Sequence, residues 1–436
     1  MTNPRSIAFT MLRRISADGA YANLVLNEGL GELSSRDARF VTELVAGTCR
    51  RLGTYDRIIA RAANRSLNSL QPAVVDVLRL GAHQLLAMRV PSRAAVDTSV
   101  KLARSRIGQR VTGLVNAVLR KVAAHTLAEW TALLSADESP TQALATRTHH
   151  PLWIVQAYQQ LLAPTEVARL LAANNEAATP TLVVRPGLLE RDELLRAGGT
   201  ATRFSPYGVH WQGNPGRIPA VIDGRAGVQD EGSQLVALAL SRATAPSGPW
   251  LDLCAGPGGK SALLAGLAAA AGSWLLASEL QEHRARLVQS ALRAYPSEVA
   301  SVISADGRQP AWRPNSFAKI MVDAPCTGLG ALRRRPESRW RHQPEDVPQL
   351  AGLQRELVHR ALDSAIVGGA VAYVTCSPHA AETADVVHAV VAERDDVAIE
   401  DAAGLLPEVA GQGRFIQLWP HKHGTDAMFF ALLRKR

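Results

Sequence analysis

LDLCAGPGGK, residues 251–260, runs from an apolar, strand-like segment into a glycine-rich turn that opens a helix. Its glycines are Gly256, Gly258 and Gly259. Glycines at such a turn let backbone amides approach a ligand closely, and the N-terminus of the following helix favours negative charge. Three further residues surround the turn: Asp252, Pro257 and Lys260. The stretch therefore predicts the first strand, turn and helix of an α/β domain.

Apolar runs alternate with helical patterns on the C-terminal side of this turn, starting after Pro249. The runs are WLDLC (250–254), SWLLAS (273–278), SVIS (301–304), KIMVD (319–323) and AVAYVT (370–375). Short runs rich in Val, Ile and Leu are typical of parallel strands that are buried on both faces, with helices between them. The pattern predicts a doubly wound, Rossmann-like α/β domain.

An acidic residue follows each of the next three predicted strands. Glu279 ends the second strand, Asp306 follows the third and Asp323 ends the fourth. Ligands of open α/β sheets bind at the carboxyl ends of the strands, and a carboxylate about 20 residues after the glycine turn can accept both hydroxyls of a ribose. The alternative for Glu279 is that it only caps the helix beginning near Gln281. Any one of these acids could be an ordinary cap or turn residue, but with Asp252 four acids in sequence lie at one sheet edge and favour a nucleoside-cofactor site.

Two of the four cysteines are predicted to meet at this same edge. Cys326 follows the fourth strand in VDAPCTGLG, and Cys376 follows the fifth in YVTCSPH. Adjacent strands of one sheet would bring both thiols close together. The alternative is that they are buried and inert, as cysteines often are. We keep that interpretation for Cys254, in the glycine turn, and for Cys49, in an N-terminal helix.

A pair of thiols suits methylation of cytosine at C5. This carbon is a poor nucleophile, and a thiolate that adds to C6 makes an enamine whose C5 can take a methyl group. A base must then remove the C5 proton so that the thiol leaves by elimination. One cysteine can attack while the other assists release. Asp323 could form a hydrogen bond with N3 or with the amino group of the cytosine ring.

The N-terminal third is predicted to be a small helical bundle. Ser34, three residues before Asp37, resembles a capping box, and Gly47 is the expected end of that helix. Further helices are expected to begin near Pro72, Ser92 and Thr112. We expect a helical domain over 1–136, a linker over 137–151, a small α+β connecting subdomain over 152–240 with a helix around Leu152–Leu171, and the α/β domain over 241–436.

The charge of the chain favours a polyanionic partner. The formal net charge is +9 and the pI is about 9.8. Residues 1–140 hold 19 Lys and Arg against 11 Asp and Glu, whereas the remainder holds 29 against 28. Cationic side chains near phosphates release condensed counterions on binding. A solvated basic surface is the alternative interpretation.

The cysteine content and the distribution of apolar residues also indicate where in the cell the protein is expected. The four cysteines form neither a CxxC pair nor a metal-ligand pattern with the histidines, so we expect no metal. Neither an N-terminal secretory signal nor an apolar run of about 18 residues is found. We expect a cytoplasmic protein without membrane contact; the sequence leaves the oligomeric state open, with a monomer favoured.

At these motifs the sequence resembles a known family, the bacterial ribosomal RNA cytosine-C5 methyltransferases of the Sun/Fmu type within the NOL1/NOP2/Sun group. The resemblance covers nearly the whole chain. It includes LDLCAGPGGK, VDAPCTGLGALRRRPE, VTCSPHAAE, DAMFFALLRK and VQDEGSQLVA (228–237). Residues 36–58 and 113–121 are similar to the family's NusB-like RNA-binding domain. The resemblance implies a class I methyltransferase sheet, S-adenosylmethionine as cofactor and ribosomal RNA as partner.

The resemblance also implies a role for each matching residue. Cys376 would be the nucleophile and Cys326 the group that aids release, with Lys260 and Asp323 lining the base pocket. The implied cofactor contacts are Cys254, Ala255, Gly256, Pro257, Gly258, Gly259, Lys260, Glu279, Asp306 and Asp323. Two departures are present: Glu279 stands where Asp is usual, and Arg185 is followed by Pro186 and Gly187 where the family often has Arg-x-Asn.

Three other functions compete with 16S ribosomal RNA methylation. Transfer RNA could be the substrate of the same cytosine-C5 chemistry. A non-catalytic, NusB-like RNA-binding or antitermination factor would be expected to have a decayed cofactor turn, and LDLCAGPGGK is intact. DNA cytosine methyltransferases usually attack with the cysteine of the Pro-Cys motif and carry a separate target-recognition region, which is not seen here.

Overall fold

The computed structural model of the chain describes residues 3–31, 33–409 and 413–436. The chain divides into two compact units. The helical unit comprises Met1–Ala177 together with Leu332–Gln343. The sheet unit comprises Ala178–Ala331 together with Pro344–Arg436. A stretch of twelve residues from the C-terminal half of the sequence thus belongs to the N-terminal unit.

The helical unit contains eleven α-helices among its described residues. They are α1 (Pro4–Ala17), α2 (Ala22–Gly29), α3 (Ser35–Arg50), α4 (Leu52–Ala63), α5 (Pro72–Leu86), α6 (Ser92–Arg106), α7 (Thr112–Val122), α8 (Leu127–Ser135), α9 (Pro140–Thr148), α10 (Leu152–Gln159) and α11 (Pro164–Asn174). Short 3-10 turns occur at Leu67–Ser69, Gln109–Val111 and Pro336–Trp340. One apolar cluster from α1 to α8 forms the core. The predicted all-α N-terminal region is confirmed.

The start of α3 follows the sequence prediction, but its end does not. The Ser34 hydroxyl accepts a hydrogen bond from the Asp37 amide at 3.1 Å, as a helix N-cap does. The helix then continues through Gly47 to Arg50. A Cβ at Gly47 would lie 2.2 Å from Nε2 of His83 on α5. Glycine is needed there for close packing between helices, so the prediction that it ends the helix is wrong.

The region predicted to be a linker, 137–151, contains a helix. The Ser139 hydroxyl caps α9 by accepting a hydrogen bond from the amide of Gln142, and Pro140 takes the first helical position, where its missing N–H costs nothing. The polar composition that suggested a linker therefore belongs to a capped helix. The structure corrects the expected boundaries at 136 and 151, because the helical unit continues to Ala177.

The helix expected around Leu152–Leu171 is two helices. Pro164 interrupts it, because a proline has no N–H for the ladder and disfavours helical backbone at the residue before it. α10 ends at Gln159, and α11 begins at Pro164. Both belong to the helical unit, so the α+β subdomain predicted over 152–240 begins instead near Ala178.

The segment Leu332–Gln343 packs inside the helical unit through buried polar contacts. The indole N–H of Trp340 donates to the carbonyl of Cys49 at 2.8 Å. Arg339 is completely buried. Its guanidinium donates to the carbonyls of His149 and Asn174 and to the side chain of Asn175, at 2.9–3.0 Å. Partnering of this kind is what a buried charge requires.

The sheet unit begins with a small antiparallel sheet. Its strands are β1 (Thr181–Val184), β2 (Thr200–Ala201), β3 (Gly208–His210) and β4 (Ala226–Val228), in the order β2-β3-β1-β4. Two short helices, α12 (Arg191–Arg196) and α13 (Pro219–Ile222), and a 3-10 turn at Pro215–Arg217 lie between these strands in the chain. The TLVVRP segment forms β1, the strand bonded to both β3 and β4.

The large sheet contains the five strands predicted from the apolar runs. Its strands are β5 (Trp250–Asp252), β6 (Leu275–Glu279), β7 (Ala300–Ser304), β8 (Phe317–Asp323), β9 (Ala365–Thr375), β10 (Val397–Glu400), β11 (Ile416–Gln417) and β12 (Phe429–Lys435). The order is β10-β12-β9-β8-β5-β6-β7, and β11 pairs with β12. β5 to β9 are mutually parallel, whereas β12 is antiparallel to β9 and to β10.

Helices cover both faces of this sheet. They are α14 (Glu231–Arg242), α15 (Gly259–Ala270), α16 (Glu282–Leu292), α17 (Asp346–Ser364) and α18 (Ala384–Ala392), and a short helix, α19 (Pro420–His423), lies between β11 and β12 in the chain. Met321, Ala372 and Val374 pack with α14 and α15 in one apolar cluster. Their neighbours Val322 and Tyr373 pack with α17 and α18 in another. Alternation of this kind buries both faces, so the predicted doubly wound sheet is confirmed.

Two features are absent from the described residues. Within 3–31, 33–409 and 413–436, no helix combines the length and the hydropathy that crossing a membrane requires. In the same residues, no group of three or more His, Cys, Asp and Glu is arranged to hold a metal ion.

Candidate active site

The glycine turn lies where the strand order of the large sheet reverses. β5 has β6 on one side and β8 on the other, and such a switch point opens a crevice at the carboxyl ends of the strands. Gly258 has a φ of +105°, and a Cβ on it would meet Cβ of Ala291 at 2.6 Å and Cα of Val288 at 2.9 Å. Only glycine satisfies both the backbone conformation and the close approach of α16.

Glu279 ends β6 directly beside this turn. Its carboxylate accepts the Gly256 amide on one oxygen and the Gln281 amide on the other, both at 3.0 Å. The guanidinium of Arg284 lies 3.6 Å from the same carboxylate and donates to the Gly256 carbonyl at 2.8 Å. A carboxylate offers about four acceptor positions, so Glu279 keeps capacity for two more donors. The residue caps the local backbone and still presents an acceptor.

The rest of the turn forms a backbone framework between β5 and α15. The amide of Ala255 donates to Ser278 on β6, and the amide of Gly258 donates to Ala255. The Gly256–Pro257 peptide bond is cis, and Gly259 begins α15. These contacts hold the turn over the ends of two strands, as the sequence predicts.

Lys260 and Asp323 form an ion pair next to the turn. Lys260 is the second residue of α15, and Nζ lies 2.8 Å from Oδ2 of Asp323 at the end of β8. Burial acts to lower the pKa of Lys260, but the charge of Asp323 and their hydrogen bond outweigh burial and raise it. The charge of a Cys376 thiolate acts in the same direction. Lys260 therefore places a fixed positive charge beside the thiols.

The structure brings Cys326 and Cys376 together. Their sulfurs lie 3.5 Å apart, just beyond the ends of the neighbouring parallel strands β8 and β9. Both are free thiols on partly exposed residues. The hydrogen bond with Cys376, then burial, then the negative charges of Cys376 and Glu382 raise the pKa of Cys326. These contacts favour the protonated form of Cys326.

The other two cysteines differ from this pair. Burial, followed by the charges of Asp252 and Asp323, raises the pKa of Cys254 well above its usual value. Burial also raises the pKa of Cys49, inside the helical unit. Thiols that resist ionisation are poor nucleophiles, which agrees with the inert interpretation of both.

Asp306 follows β7 at the predicted sheet edge but is already paired. Its carboxylate lies 2.7 Å from the guanidinium of Arg308 and accepts the amide of that residue. The Arg308 hydrogen bond lowers the pKa of Asp306.

Arg185 is buried, and its guanidinium donates to the carbonyl of Gly224. It therefore supports the small sheet from within.

Sequence reasoning missed one residue of this site, Glu382. It lies six residues after Cys376 and is completely buried. Its carboxylate accepts hydrogen bonds from Thr327 and Ser377, the residues that follow the two site cysteines. The available signal was the acid that ends VTCSPHAAE, six residues after Cys376.

The fold and this arrangement of groups define a Rossmann-like methyltransferase. The family of 16S rRNA methyltransferases RsmB/F matches residues 238–434, and the NusB family matches residues 2–124. A probable ribosomal RNA small subunit methyltransferase B of Bacillus subtilis is 30% identical, with 100% of this chain and 99% of the relative covered. The chain belongs to the RsmB/F methyltransferase family.

One further relative and two solved structures are similar to this chain. The putative methyltransferase Rv1407 of Mycobacterium tuberculosis is 47% identical, over 99% of this chain and 96% of the relative. The crystal structure of PH0851 has a TM-score of 0.84 at 19% identity and covers 100% of this chain and 99% of its own. NSun6 from Pyrococcus horikoshii with SFG has a TM-score of 0.55 at 16% identity, over 65% and 98%. Both structures share the fold.

Proposed function

We propose that the chain methylates C5 of a cytosine in 16S ribosomal RNA, with S-adenosylmethionine as methyl donor and Cys376 as covalent catalyst. The observation that carries this proposal is the pair of thiols 3.5 Å apart beside the Lys260–Asp323 ion pair. A covalent route needs one sulfur to attack the base and a second group to complete the elimination. Two thiols on adjacent loops supply both.

The glycine turn and Glu279 fit S-adenosylmethionine. A Cβ at Gly256 would lie 2.1 Å from Oε2 of Glu279, so glycine keeps this carboxylate against the turn. Its remaining acceptor positions suit the two ribose hydroxyls. S-adenosylmethionine supplies an electrophilic methyl group on sulfur when bound. We assign cofactor contacts to Cys254, Ala255, Gly256, Pro257, Gly258, Gly259, Lys260, Glu279, Asp306 and Asp323.

Cys376 would attack C6 of the cytosine as a thiolate. The positive charge of Lys260 interacts with that thiolate and stabilises it. Addition forms the sulfur–C6 bond and moves the ring electrons so that C5 becomes an enamine carbon. C5 would then take the methyl group from the donor, whose methyl–sulfur bond would break to leave S-adenosylhomocysteine. Asp323 would accept a hydrogen bond from the amino group of the base and hold the ring in place.

Cys326 would act after methyl transfer. The hydrogen bond with Cys376 and the charge of its thiolate are two of the causes that raise the pKa of Cys326. Both causes disappear once Cys376 is bonded to carbon, so the pKa of Cys326 falls and it can lose its proton to solvent. The resulting thiolate removes the C5 proton, the sulfur–C6 bond breaks, and Cys376 leaves as a thiolate.

The RNA substrate is inferred from two sources. Relatives that are similar over their whole length are named ribosomal RNA small subunit methyltransferase B. Residues 1–140, most of the helical unit, carry the excess of basic residues, 19 Lys and Arg against 11 Asp and Glu. A basic surface binds phosphate backbones without reading sequence, so we assign RNA binding to this unit. We also propose a cytoplasmic location, as its substrate would require.

Bisulfite mapping of cytosine methylation would test the proposal. Total RNA would be compared from the parent strain, a strain lacking the gene, and that strain expressing either the wild type or Cys376→Ala. We expect one 16S cytosine to lose its methylation in the deletion strain and regain it only with the wild type. Loss confined to transfer RNA would move the substrate, and an unchanged methylation map would overturn the proposal.

A further inference from the structure

The buried carboxylate of Glu382 lies between the loops that carry the two site cysteines. Glu382 ends a 3-10 turn, Ala380–Glu382, that follows β9, and its side chain is shielded from solvent. A carboxylate in such a place is stable only if donors saturate its oxygens. Because this buried carboxylate lies beside the two thiols, we consider what it does for them.

The donors come from the residues immediately after each cysteine. Oε1 of Glu382 accepts the amide of Thr327 at 2.8 Å, and Oε2 accepts the hydroxyl of Ser377 at 2.6 Å. The hydroxyl of Thr327 donates to the same Oε2 and lies 3.0 Å from the hydroxyl of Ser377. One carboxylate therefore joins the residue after Cys326 to the residue after Cys376.

A second set of buried contacts fixes Glu382 itself. The amide group of Gln354 on α17 donates to Oε1 of Glu382 at 3.2 Å and to the carbonyl of Pro325 at 2.8 Å. The hydroxyl of Tyr373 on β9 donates to the main-chain carbonyl of Glu382 at 2.6 Å. Gln354 and Tyr373 are both completely buried. The carboxylate thus has one orientation, set by the packed core.

The backbone brings the two loops together at a second point. The amide of Gly330 donates to the carbonyl of Cys376 at 2.8 Å. A Cβ at Gly330 would lie 2.8 Å from that carbonyl and 2.2 Å from the carbonyl of Ala427. With Glu382 on one side and Gly330 on the other, the Cys326 loop has little freedom to move away from Cys376.

The charge of Glu382 also acts on the thiols. After the hydrogen bond with Cys376, burial and the charge of Cys376, the charge of Glu382 is a further cause that raises the pKa of Cys326. Tyr373 is a titratable group that faces both Cys326 and Glu382, and its pKa is raised by burial and then by the charges of these two residues, so it stays neutral. Glu382 therefore favours the protonated form of Cys326.

We propose that Glu382 is a positioning residue: its carboxylate holds the two cysteine loops at one separation and places a negative charge beside Cys326, so that Cys376 is the attacking thiol. The proposal rests on the proposed function for the reaction in which the thiols act. The geometric part, a charged tie between the two loops, is independent of any substrate.

Glu382→Gln separates charge from geometry. The amide oxygen can replace Oε1 and accept from Thr327 and Gln354, while the amide nitrogen can replace Oε2 and donate to the two hydroxyls, which rotate to accept. We would measure iodoacetamide alkylation of each cysteine peptide against pH by mass spectrometry, using the full chain. We expect the alkylation midpoint of Cys326 to fall by about one pH unit, the lower end of the shift that a nearby charge causes.

Glu231→Gln is the matched control. Glu231 is also a buried glutamate of the sheet unit, and it accepts the amides of Phe204 and Ser205 at 2.6 and 2.8 Å. Its loss should lower the melting temperature and leave the Cys326 midpoint unchanged. A merely structural Glu382 would behave in the same way as this control.

Glu382→Ala tests the tie itself through activity. We expect kcat for RNA methylation to fall about 100-fold, as a misplacement of about 1 Å can cause, with the dissociation constant for S-adenosylhomocysteine nearly unchanged. Glu382→Gln should recover most of this loss. An unchanged Cys326 midpoint in Glu382→Gln, or an equal shift in Glu231→Gln, would overturn the proposal. Absence of RNA methylation by the wild type would overturn the proposed function and leave the alkylation result decisive for Glu382.

Discussion

Replacing Cys376 with alanine removes the sulfur that we expect to bond to C6 of the base. Methylation should then be abolished, while S-adenosylhomocysteine should bind nearly as well as before, because the turn and Glu279 lie outside the change. Tritium transfer to unmodified 16S ribosomal RNA and titration calorimetry measure the two effects. Turnover like that of the wild type would contradict the assignment of Cys376 as nucleophile.

Replacing Cys326 with alanine should produce a different defect. The variant keeps the attacking thiol and loses the group that takes the C5 proton, so it should methylate the base and then fail to release it. We expect a protein–RNA adduct that survives denaturing gels and requires S-adenosylmethionine. Cys326→Ala/Cys376→Ala should form none. An adduct in Cys376→Ala alone would reverse the two roles and favour the arrangement of DNA cytosine methyltransferases.

Glu279→Ala should weaken cofactor binding. Two ribose hydroxyls would lose a charged acceptor at a cost of about 1.5–3 kcal/mol, or roughly 10- to 150-fold in the dissociation constant for S-adenosylhomocysteine. Glu279→Asp, the residue usual in the family that the sequence resembles, serves as the control and should bind within about fivefold of the wild type. Calorimetry that finds equal affinities for all three proteins would place the ribose elsewhere.

The site residues differ in how far the sequence predicts them. Cys326, Cys376 and Glu279 follow apolar runs directly, so their meeting at one sheet edge follows from the parallel order of the strands. Glu382 bonds to Thr327 across 55 residues of sequence, and no local pattern records such a partner. The pairing of Asp306 with Arg308 depends on side-chain conformation, which the sequence does not fix.

Among the elements, the N-terminus of α15 places the strictest demand on sequence. Gly258→Ala adds a Cβ against the α16 backbone at a positive φ, and we expect a loss of about 2–4 kcal/mol in the free energy of unfolding. Gly272→Ala is the matched control at the other end of α15, with a φ of +69° and no atom within 4 Å. It should cost only about 1–2 kcal/mol. Equal losses in urea denaturation would argue against the close approach of α16.

Element boundaries show why local patterns misplace ends. Gly47 and Pro164 are both residues that commonly end helices. Pro164 starts a new helix as expected of a residue without an N–H, whereas Gly47 continues α3 because His83 needs the space. The sequence reveals that a glycine is required and leaves open whether backbone or packing requires it.

At the scale of the whole molecule, the helical unit should be sensitive to acid. Burial lowers the pKa of His83, of His149 (to about 3) and of His150. Above pH 6.5 these rings are neutral in both folded and unfolded chains. Below it the unfolded chain gains protons that the folded chain refuses, so stability falls by up to about 1.4 kcal/mol per pH unit for each histidine.

Hydrogen exchange of α3, α5 and α9 peptides in the full chain between pH 7 and 5, corrected for intrinsic rates, measures this loss. His149→Gln removes one of the three protons and should flatten the pH dependence by about a third of the total slope. A pH dependence identical to that of the wild type would mean that His149 is protonated in the folded protein.

The two architectures follow from the periodicity of apolar residues, but the division of the chain does not. Runs such as KIMVD identify β8, and helical spacing identifies α5, because each pattern is local. The assignment of Leu332–Gln343 to the helical unit depends on Trp340 and Arg339 meeting partners that are 164 to 291 residues away. Arg339 appears in the sequence as one of several surface-like arginines, and only its contacts reveal burial.

The placement of Leu332–Gln343 has a consequence for how genes of this kind can recombine. A domain that occupies one continuous stretch of sequence can be exchanged at a single crossover point. Here the helical unit needs twelve residues, Leu332–Gln343, that are not part of residues 1–177. These twelve residues are encoded downstream, between the codons of β8 and α17. In a chimera that exchanges only residues 1–177, Trp340 and Arg339 would come from one parent and the helices around them from the other. The interior of those helices would be shaped for different side chains. Successful exchange requires two crossovers, so the two portions of the gene should be inherited together.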